Sequence, residues 1–99
     1  MQYFLYIITN KNNTTLYIGR TENLVGRIAA HKEKLVEGFS KKYNLNKLVY
    51  YEIHDDKIEV AKREMNMKKW QRAWKDELIE KENPEWRDLY EEFLQKINA

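Results

Sequence analysis

The sequence predicts an α+β fold of mixed α/β content, in which helices flank a three-stranded antiparallel sheet. Three short runs are rich in aromatic and β-branched residues, which is typical of strands. The segments between and after them space their apolar residues at helical intervals. Because 99 residues suffice for one modest core, we expect a single domain over residues 1–99. Its core is expected over about residues 3–80, and an acidic C-terminal helix over about residues 84–97.

The first two strands are predicted to form a hairpin. Residues 3–8 and 16–20 have the strand composition, and the polar residues 9–15 between them favour a turn. So short a connection cannot make a parallel crossover, so the two strands must be antiparallel. Residues 47–53 form the third predicted strand.

A helix is predicted over residues 22–36, between the second and third strands. Thr21 suits the N-cap position, and Leu24, Ile28 and Leu35 recur at helical spacing. The following segment, residues 39–44, is basic and aromatic without a clear period. It therefore predicts a surface loop.

Two more helices are predicted in the second half of the chain. The first begins at residue 57 and has two apolar rows, one of Ile58, Ala61 and Met65 and the other of Val60, Met67, Trp70 and Trp74. Its helical pattern continues from about residue 69 toward residue 80. Trp70 and Trp74 have helical spacing and are expected to pack in the core. Asn83 followed by Pro84 fits an N-cap and a first helical position, so a terminal helix is predicted from there to residue 93 or 97.

Charge is distributed unevenly along the chain. The net charge is only +2, but residues 76–99 carry eight acidic and three basic side chains. The first three quarters of the protein are therefore strongly basic, which favours a polyanionic partner. The alternative is that the lysines and arginines only solvate helix faces.

Composition excludes several classes of site. There is no cysteine, so disulfides, thiolate metal sites and thiol nucleophiles are excluded. Two histidines, His31 and His54, are too few for a histidine-based zinc site without carboxylates. No apolar run approaches the roughly 18 residues of a membrane helix, and no secretory leader is expected at the N-terminus. We therefore expect a soluble cytoplasmic protein that does not bind membranes.

Five residues are candidates for chemistry, each with an ordinary structural alternative. Tyr6 and Tyr17 lie on the paired strands, where their phenols could be close, although strand tyrosines usually only fill space. Arg27 and His31 are four residues apart and share a helix face. Glu64 borders the buried stripe of its helix, where a carboxylate must be paired or bind a cation. Its alternative is an outward ion pair with Lys68 at i+4.

Taken together, these residues resemble the GIY-YIG nuclease superfamily, and especially its small single-domain bacterial proteins. The resemblance rests on the two strand motifs and three later residues: Phe4-Leu5-Tyr6, Tyr17-Ile18-Gly19, Arg27, His31 and Glu64. It extends over residues 39–43, 68–75 and 83–89, and covers the chain from Tyr3 to Tyr90. Phe4 and Leu5 stand where the first motif has glycine and isoleucine, and Tyr6 stays in register.

The resemblance implies hydrolysis of phosphodiester bonds in nucleic acid. It implies the catalytic residues Tyr6, Tyr17, Arg27, His31 and Glu64. In this scheme Glu64 holds one divalent cation, Mg²⁺ or Mn²⁺, and Arg27 clamps the phosphate. Water is the nucleophile, activated by a Tyr6 phenolate, and nearby positive charge would lower the pKa of that phenol. Tyr17 hydrogen-bonds within the same network or exchanges roles with Tyr6, and the sequence does not separate the two. His31 orients a tyrosine, contacts the phosphate or shares the base role.

Further residues are expected to contact the substrate. Gly19 would let backbone or substrate approach closely at the end of the second strand. The basic side chains would bind backbone phosphates, so binding should weaken with salt. The expected contacts are Gly19, Arg20, Lys32, Lys41, Lys42, Lys68, Lys69, Arg72 and Asn83.

The leading interpretation is a metal-dependent DNA endonuclease that selects branched, flapped or single-stranded structures rather than sequences, in DNA repair or recombination. RNA stays open as a substrate. The alternative is a non-catalytic nucleic-acid-binding module that acts with a partner. A third interpretation, resting only on charge, is a protein partner recruited by the acidic C-terminal helix.

Overall fold

The structure, a computed structural model, describes residues 1–98. Its sheet has three strands: β1 (Tyr3–Thr9), β2 (Leu16–Thr21) and β3 (Lys47–His54). The strand order is β2-β1-β3, and both pairs are antiparallel. The predicted α+β class, the hairpin and the three strands are therefore confirmed, with strand ends within one residue of the prediction.

Five helices surround this sheet in the described part of the chain. They are α1 (Leu24–Lys32), α2 (Phe39–Lys42), α3 (Lys57–Lys68), α4 (Arg72–Glu82) and α5 (Tyr90–Ile97). Within residues 1–98, none of these helices is long and apolar enough to cross a membrane.

The central strand β1 is buried on both faces, which explains its unbroken apolar sequence. Phe4, Tyr6 and Ile8 face a core cluster built with α1 and α5. Leu5 and Ile7 face a second cluster, built with α3 and α4. The sheet thus lies between two helical layers, and Tyr6 points into the layer that contains α1.

The helix after β2 is shorter than predicted. Asn23, not Thr21, caps α1: its Oδ1 accepts a hydrogen bond from the backbone N–H of Gly26. The helix ends before Lys34, which adopts a left-handed conformation with φ of 59°. Leu35 therefore lies outside the helix and is exposed rather than part of an apolar stripe.

The predicted loop over residues 39–44 is instead the short helix α2. The predicted helical pattern from residue 57 toward residue 80 is broken, because Lys69 caps α3 and Gln71 is extended before α4. Of the two predicted apolar rows, the one that contains Ile58 and Met65 is exposed, whereas the one that contains Val60 and Met67 is buried. Trp70 packs against the second core cluster as expected, whereas Trp74 is exposed.

The Asn83-Pro84 pair does not open the terminal helix. Asn83 is the C-cap of α4, and Pro84 follows the end of that helix. Helix α5 begins later, at Tyr90, and ends at Ile97. Phe93 on α5 completes the core cluster that contains Tyr6.

Candidate active site

A buried hydrogen-bonded chain starts at Tyr6 in the middle of β1. Its phenol oxygen lies 3.1 Å from Nε2 of His31 on α1. On the other side of the imidazole, Nδ1 lies 2.9 Å from Oγ of Ser40 on α2. All three residues are buried, so each polar side chain finds its partner within the protein. Ser40 was not anticipated, since no sequence pattern links it to a residue nine positions earlier.

Tyr17 lies beside this chain because of the register of the hairpin. Gly19 is the pairing partner of Tyr6, so Tyr17 and Gly19 project to the same face as Tyr6. The Tyr17 ring centroid is 6.4 Å from that of Tyr6 and 6.1 Å from that of His31. Tyr17 is half-buried whereas Tyr6 is buried, so Tyr17 has the more accessible of the two phenols.

Gly19 makes room for the Tyr6 phenol. A Cβ atom at this position would lie 2.5 Å from both Cζ and Oη of Tyr6. Gly19 is itself buried. The expected close approach is therefore made by a catalytic candidate of the same chain rather than by substrate, and we no longer count Gly19 among the substrate contacts.

Tyr6 and His31 are both expected to be neutral near pH 7. Burial raises the pKa of Tyr6, the nearby Tyr17 raises it further, and the charge of Arg27 only partly opposes them. Burial lowers the pKa of His31 below 6.5, and Arg27 adds to this effect. The structure thus does not favour the expected Tyr6 phenolate, because burial outweighs the positive charge.

Two hydrogen-bonding arrangements of the neutral groups use all three side chains, because either imidazole nitrogen can carry the hydrogen. If Nε2 carries it, Nε2 donates to the Tyr6 oxygen and Nδ1 accepts from the Ser40 hydroxyl. If the Tyr6 hydroxyl donates to Nε2 of His31, then Nδ1 carries the imidazole hydrogen and donates to Ser40 Oγ. In this tautomer Nε2 is an acceptor in contact with the phenol. Nε2 can therefore take the proton of the Tyr6 hydroxyl while the Tyr6 oxygen takes a proton from another group.

Glu64 lies on α3, on the opposite face of the sheet, next to the edge strand β2. Its carboxylate is buried and pairs with two cations. Arg20 Nη1 is 2.5 Å from Oε1, and Lys68 Nζ is 3.3 Å from Oε2. Lys68 Nζ also lies 5.8 Å from the ring centroid of Tyr17, so this lysine lies between Glu64 and Tyr17. Glu64 is therefore both a member of the buried stripe and a partner of Lys68.

Arg27 lines an open cleft beside this cluster. The cleft has a volume of about 400 Å³, and three cationic side chains contribute to its wall: Arg20, Arg27 and Lys57. Such a concentration of positive charge suits a phosphate group. Lys57 was not anticipated, because its place at the start of α3 resembles that of any surface lysine.

Glu64 fits a divalent cation only as a single protein ligand. Within residues 1–98, no three His, Cys, Asp or Glu side chains come together as a metal-binding group. Mg²⁺ commonly binds through one or two carboxylates, with substrate phosphates and waters as its other ligands. The hard carboxylate oxygens of Glu64 suit Mg²⁺ or Mn²⁺ in this way, although each oxygen is held by a cation of the chain.

Three of the expected substrate contacts instead serve the fold. Asn83 is fully buried; its amide donates to the carbonyls of Val49 and Arg87, and its oxygen accepts from the Arg87 N–H. Lys32 Nζ donates to the Asn46 carbonyl at 2.9 Å and pairs with Asp88.

Arg72 binds the turn between β1 and β2. Its guanidinium donates to the carbonyls of Asn13 and Thr14 and pairs with Asp76 on its own helix. The guanidinium donors are therefore satisfied within the protein. We therefore do not propose Asn83, Lys32 or Arg72 as substrate contacts.

The remaining predicted lysines are exposed. Lys41 and Lys42 lie on α2, where Lys41 pairs with Glu37 and Lys42 Nζ lies 5.4 Å from the Tyr43 ring centroid. Lys69 is exposed at the end of α3. Helix α2 carries Ser40 of the chain that starts at Tyr6, and α3 carries Glu64 and Lys68, so these lysines are available for phosphate contacts near the site.

Comparison with known proteins finds a matching family profile and related sequences. The sequence profile described as the GIY-YIG catalytic domain matches residues 2–83. A UPF0213 protein of Staphylococcus haemolyticus is 34% identical over 79 residues, covering 80% of this chain and 95% of its own. A UPF0213 protein of Syntrophus aciditrophicus is 39% identical over 83 residues, covering 83% and 93%.

The fold also matches a solved structure. The solution NMR structure of a UPF0213 protein from Bacillus halodurans superposes with a TM-score of 0.57. The match covers 89% of this chain and 93% of the other, at 22% identity, and so supports the fold alone. Because the catalytic-domain profile spans most of the chain and the relatives align over most of their length, the chain belongs to the GIY-YIG family.

Proposed function

We propose that this protein is a metal-dependent endonuclease that hydrolyses DNA phosphodiester bonds and selects substrates by structure rather than by sequence. Membership of a nuclease superfamily implies nucleic acid as the general substrate. The observation that carries the proposal is the surroundings of Tyr6. Its phenol contacts His31, Tyr17 and Gly19, and Arg27 and Glu64 are near enough to affect its pKa.

In this proposal Tyr6 and His31 move the proton of the attacking water. The water gives its proton to the Tyr6 oxygen as the Tyr6 hydroxyl passes its own proton to Nε2 of His31. Ser40 holds the imidazole in the accepting tautomer through Nδ1. The relay leaves Tyr6 neutral and places the positive charge of the water's proton on His31 as an imidazolium, so it avoids a buried phenolate, which the raised pKa of Tyr6 disfavours. Tyr17, at the accessible side, hydrogen-bonds within the same network.

Positive charge in the adjacent cleft would position the substrate. Arg27 would clamp the non-bridging phosphate oxygens with its planar guanidinium, and Lys57 would add a second cation from the same cleft. Glu64 would hold Mg²⁺ or Mn²⁺, which when bound supplies charge neutralisation at the phosphate and the leaving oxygen. Arg20 and Lys68 would then be released from Glu64 toward the DNA backbone.

A second candidate is a nucleic-acid-binding module without turnover that acts with a partner. The observation that favours it is the pairing of both Glu64 oxygens with Arg20 and Lys68, which keeps the carboxylate from a metal. For the leading proposal we place the activity in the cytoplasm, in DNA repair or recombination.

Cleavage assays distinguish the two candidates. Flapped, branched, single-stranded and blunt duplex DNA would be incubated with wild type with and without Mg²⁺ or Mn²⁺. We expect cleavage only with metal, and a loss of about 100-fold or more in Glu64→Gln and Tyr6→Phe. Glu59→Gln is the matched control, because Glu59 is an exposed acid on the same helix.

Two outcomes would contradict the proposal at different levels. If the wild type binds these DNAs but never cuts them, the endonuclease function is wrong and the binding module stands. If Glu64→Gln cuts as fast as wild type, the assignment of the metal ligand is wrong.

A further inference from the structure

Two aromatic side chains are exposed on the face of α2 that points to solvent. Phe39 is 47% exposed and Tyr43 is 43% exposed. They are four residues apart, so they lie on one side of the helical turn, and their ring centroids are 4.7 Å apart. Together they form an exposed aromatic surface, here called the aromatic platform.

The platform is continuous with the candidate active site. The ring of Phe39 stacks on that of Tyr17, with centroids 6.4 Å apart and planes at 28°. Tyr17 in turn lies against Tyr6 and His31. A ligand group stacked on Phe39 would therefore be separated from Tyr6 and His31 by the ring of Tyr17 alone.

Lysines accompany these aromatic rings. Lys42 Nζ lies 5.4 Å from the Tyr43 ring centroid, and Lys68 Nζ lies 5.8 Å from that of Tyr17. Lys41 is exposed on the same short helix. Aromatic faces interleaved with cations match a nucleic acid strand, whose bases stack while its phosphates pair with positive charge.

The platform is anchored through the opposite side of α2. Ser40 is buried and bonded to His31, and Leu45 just after the helix fills the core. Gly38 enters the helix at φ of 104°, and Asn44 leaves it at φ of 56°, both left-handed conformations. The tight turns at both ends hold Ser40 inside while Phe39 and Tyr43 stay outside.

We propose that Phe39 and Tyr43 form a subsite that stacks the unpaired bases of a DNA strand entering the active site. In duplex DNA the base faces are covered by their neighbours, so a stacking subsite selects single-stranded or flapped DNA over blunt duplex. This inference rests on the proposed nuclease function for its biological meaning. The binding itself needs neither metal nor cleavage.

Binding measurements in EDTA test the platform separately from catalysis. The probe is a short single-stranded oligodeoxynucleotide of mixed sequence that contains one 2-aminopurine, compared with the blunt duplex of the same length. We expect wild type to bind the single strand more tightly and to quench 2-aminopurine fluorescence by stacking. Phe39→Ala and Tyr43→Ala should each weaken single-strand binding about fivefold or more and reduce the quenching.

Matched variants separate stacking from other effects. Trp74→Ala removes an aromatic side chain of similar exposure on α4, and should leave affinity and quenching unchanged. Phe39→Trp keeps an aromatic face and should retain wild-type binding. Thermal melts verify folding, and Tyr43→Ala tests the platform even if Phe39→Ala is destabilised by losing its contact with Tyr17.

The inference is overturned if Phe39→Ala and Tyr43→Ala bind the single strand as wild type does, or if wild type prefers the duplex. It is also overturned if Trp74→Ala loses as much affinity as they do. Its failure is distinguishable from failure of the nuclease proposal. Unchanged binding with metal-dependent cleavage rejects only the platform, whereas stacking without cleavage by wild type rejects only the enzyme.

Discussion

Arg20 and Glu64, one at the end of β2 and the other on α3, form an ion pair with 2.5 Å between Nη1 and Oε1. The arginine occupies the carboxylate that we propose as the metal ligand. Arg20 is half exposed, whereas the Glu64 side chain is only 11% exposed, so the pair can open on the arginine side. In the proposed function, metal and arginine would therefore compete for one carboxylate.

Removing this competition should increase metal affinity. In Arg20→Met, we expect the DNA-free protein to bind Mn²⁺ about twofold to fivefold more tightly, because an exposed ion pair is worth roughly 0.2–1 kcal/mol. Isothermal titration calorimetry measures this without any cleavage. Arg72→Met, which removes a guanidinium paired with Asp76 instead, is the control and should bind Mn²⁺ as wild type does. Weaker Mn²⁺ binding by Arg20→Met would count against the competition.

Gly19→Ala should displace the Tyr6 phenol. The new methyl group would lie 2.5 Å from Cζ and Oη of a buried ring, so it must push that ring aside. We expect a loss of about 1–3 kcal/mol in unfolding free energy, as for other overpacked cores, together with loss of cleavage. Urea denaturation measures the first and single-turnover assays the second.

Gly26→Ala is the matched control for this substitution. Its methyl group meets the end of the exposed Asn23 side chain, which can turn away at the cost of its N-cap hydrogen bond, about 1 kcal/mol, without moving Tyr6. We expect it to keep cleavage activity. Equal stability and activity of Gly19→Ala and wild type would show that Tyr6 does not need the space.

The buried histidine should make stability depend on pH. The pKa of His31 is lower in the folded protein than its usual 6.5, so the unfolded chain binds a proton more readily. The stability that His31 contributes is therefore fully present above pH 6.5 and is lost as the pH falls below it. We expect His31→Gln to flatten the fall in urea midpoint between about pH 7.5 and about pH 5.5.

His54→Gln removes the other histidine and serves as the control. Since His31 remains, this variant should keep most of the wild-type fall over the same range. If His31→Gln loses stability with falling pH as steeply as wild type, the imidazole is not held neutral by the fold.

Asn83 should behave as a structural residue. In Asn83→Ala, the carbonyls of Val49 and Arg87 lose their donor and the Arg87 N–H loses its acceptor. We expect a loss of about 2–4 kcal/mol in unfolding free energy by denaturant titration. Asn12→Ala at an exposed site should change the unfolding free energy by about 0.5 kcal/mol or less. A stable Asn83→Ala with weakened DNA binding would restore Asn83 as a substrate contact.

Salt dependence should separate lysines at the site from lysines of the fold. Lys42→Ala is expected to reduce the slope of log affinity against log salt for single-stranded DNA by about 0.7, the value of one phosphate contact. Lys32→Ala should leave that slope unchanged, because Lys32 is held by Asn46 and Asp88. Fluorescence anisotropy over a salt series measures both. Equal slopes in wild type and Lys42→Ala would remove this lysine from the DNA path.

The resemblance to the GIY-YIG nucleases singled out the candidate residues, and two regularities of the chain predict where they lie. The hairpin follows from strand composition and a short turn, and it brings Tyr6 and Tyr17 to one face. Helical spacing puts Arg27 and His31 on a common helix and Glu64 in a buried row. Each of these inferences needs only local geometry.

The contacts of polar side chains could not be identified in this way. Arg20, Lys32, Arg72 and Asn83 all resembled substrate contacts, yet each finds its partner within the fold, Arg20 with a residue 44 positions away. Nothing in local sequence specifies which carbonyl or carboxylate a long polar side chain will meet. Only the packing of helices on the sheet brings those partners within reach.

The sequence by itself thus determined the α+β fold, the antiparallel hairpin and the residue types of the candidate site. The tertiary structure decided that Tyr6 is buried, bonded to His31 and protonated, and that Gly19 is present to accommodate its ring. It also decided that Arg20 occupies the carboxylate of Glu64. The physical reason is that burial sets the protonation states of side chains, and long-range pairing decides which donors stay unpaired. Both arise only when distant segments pack together.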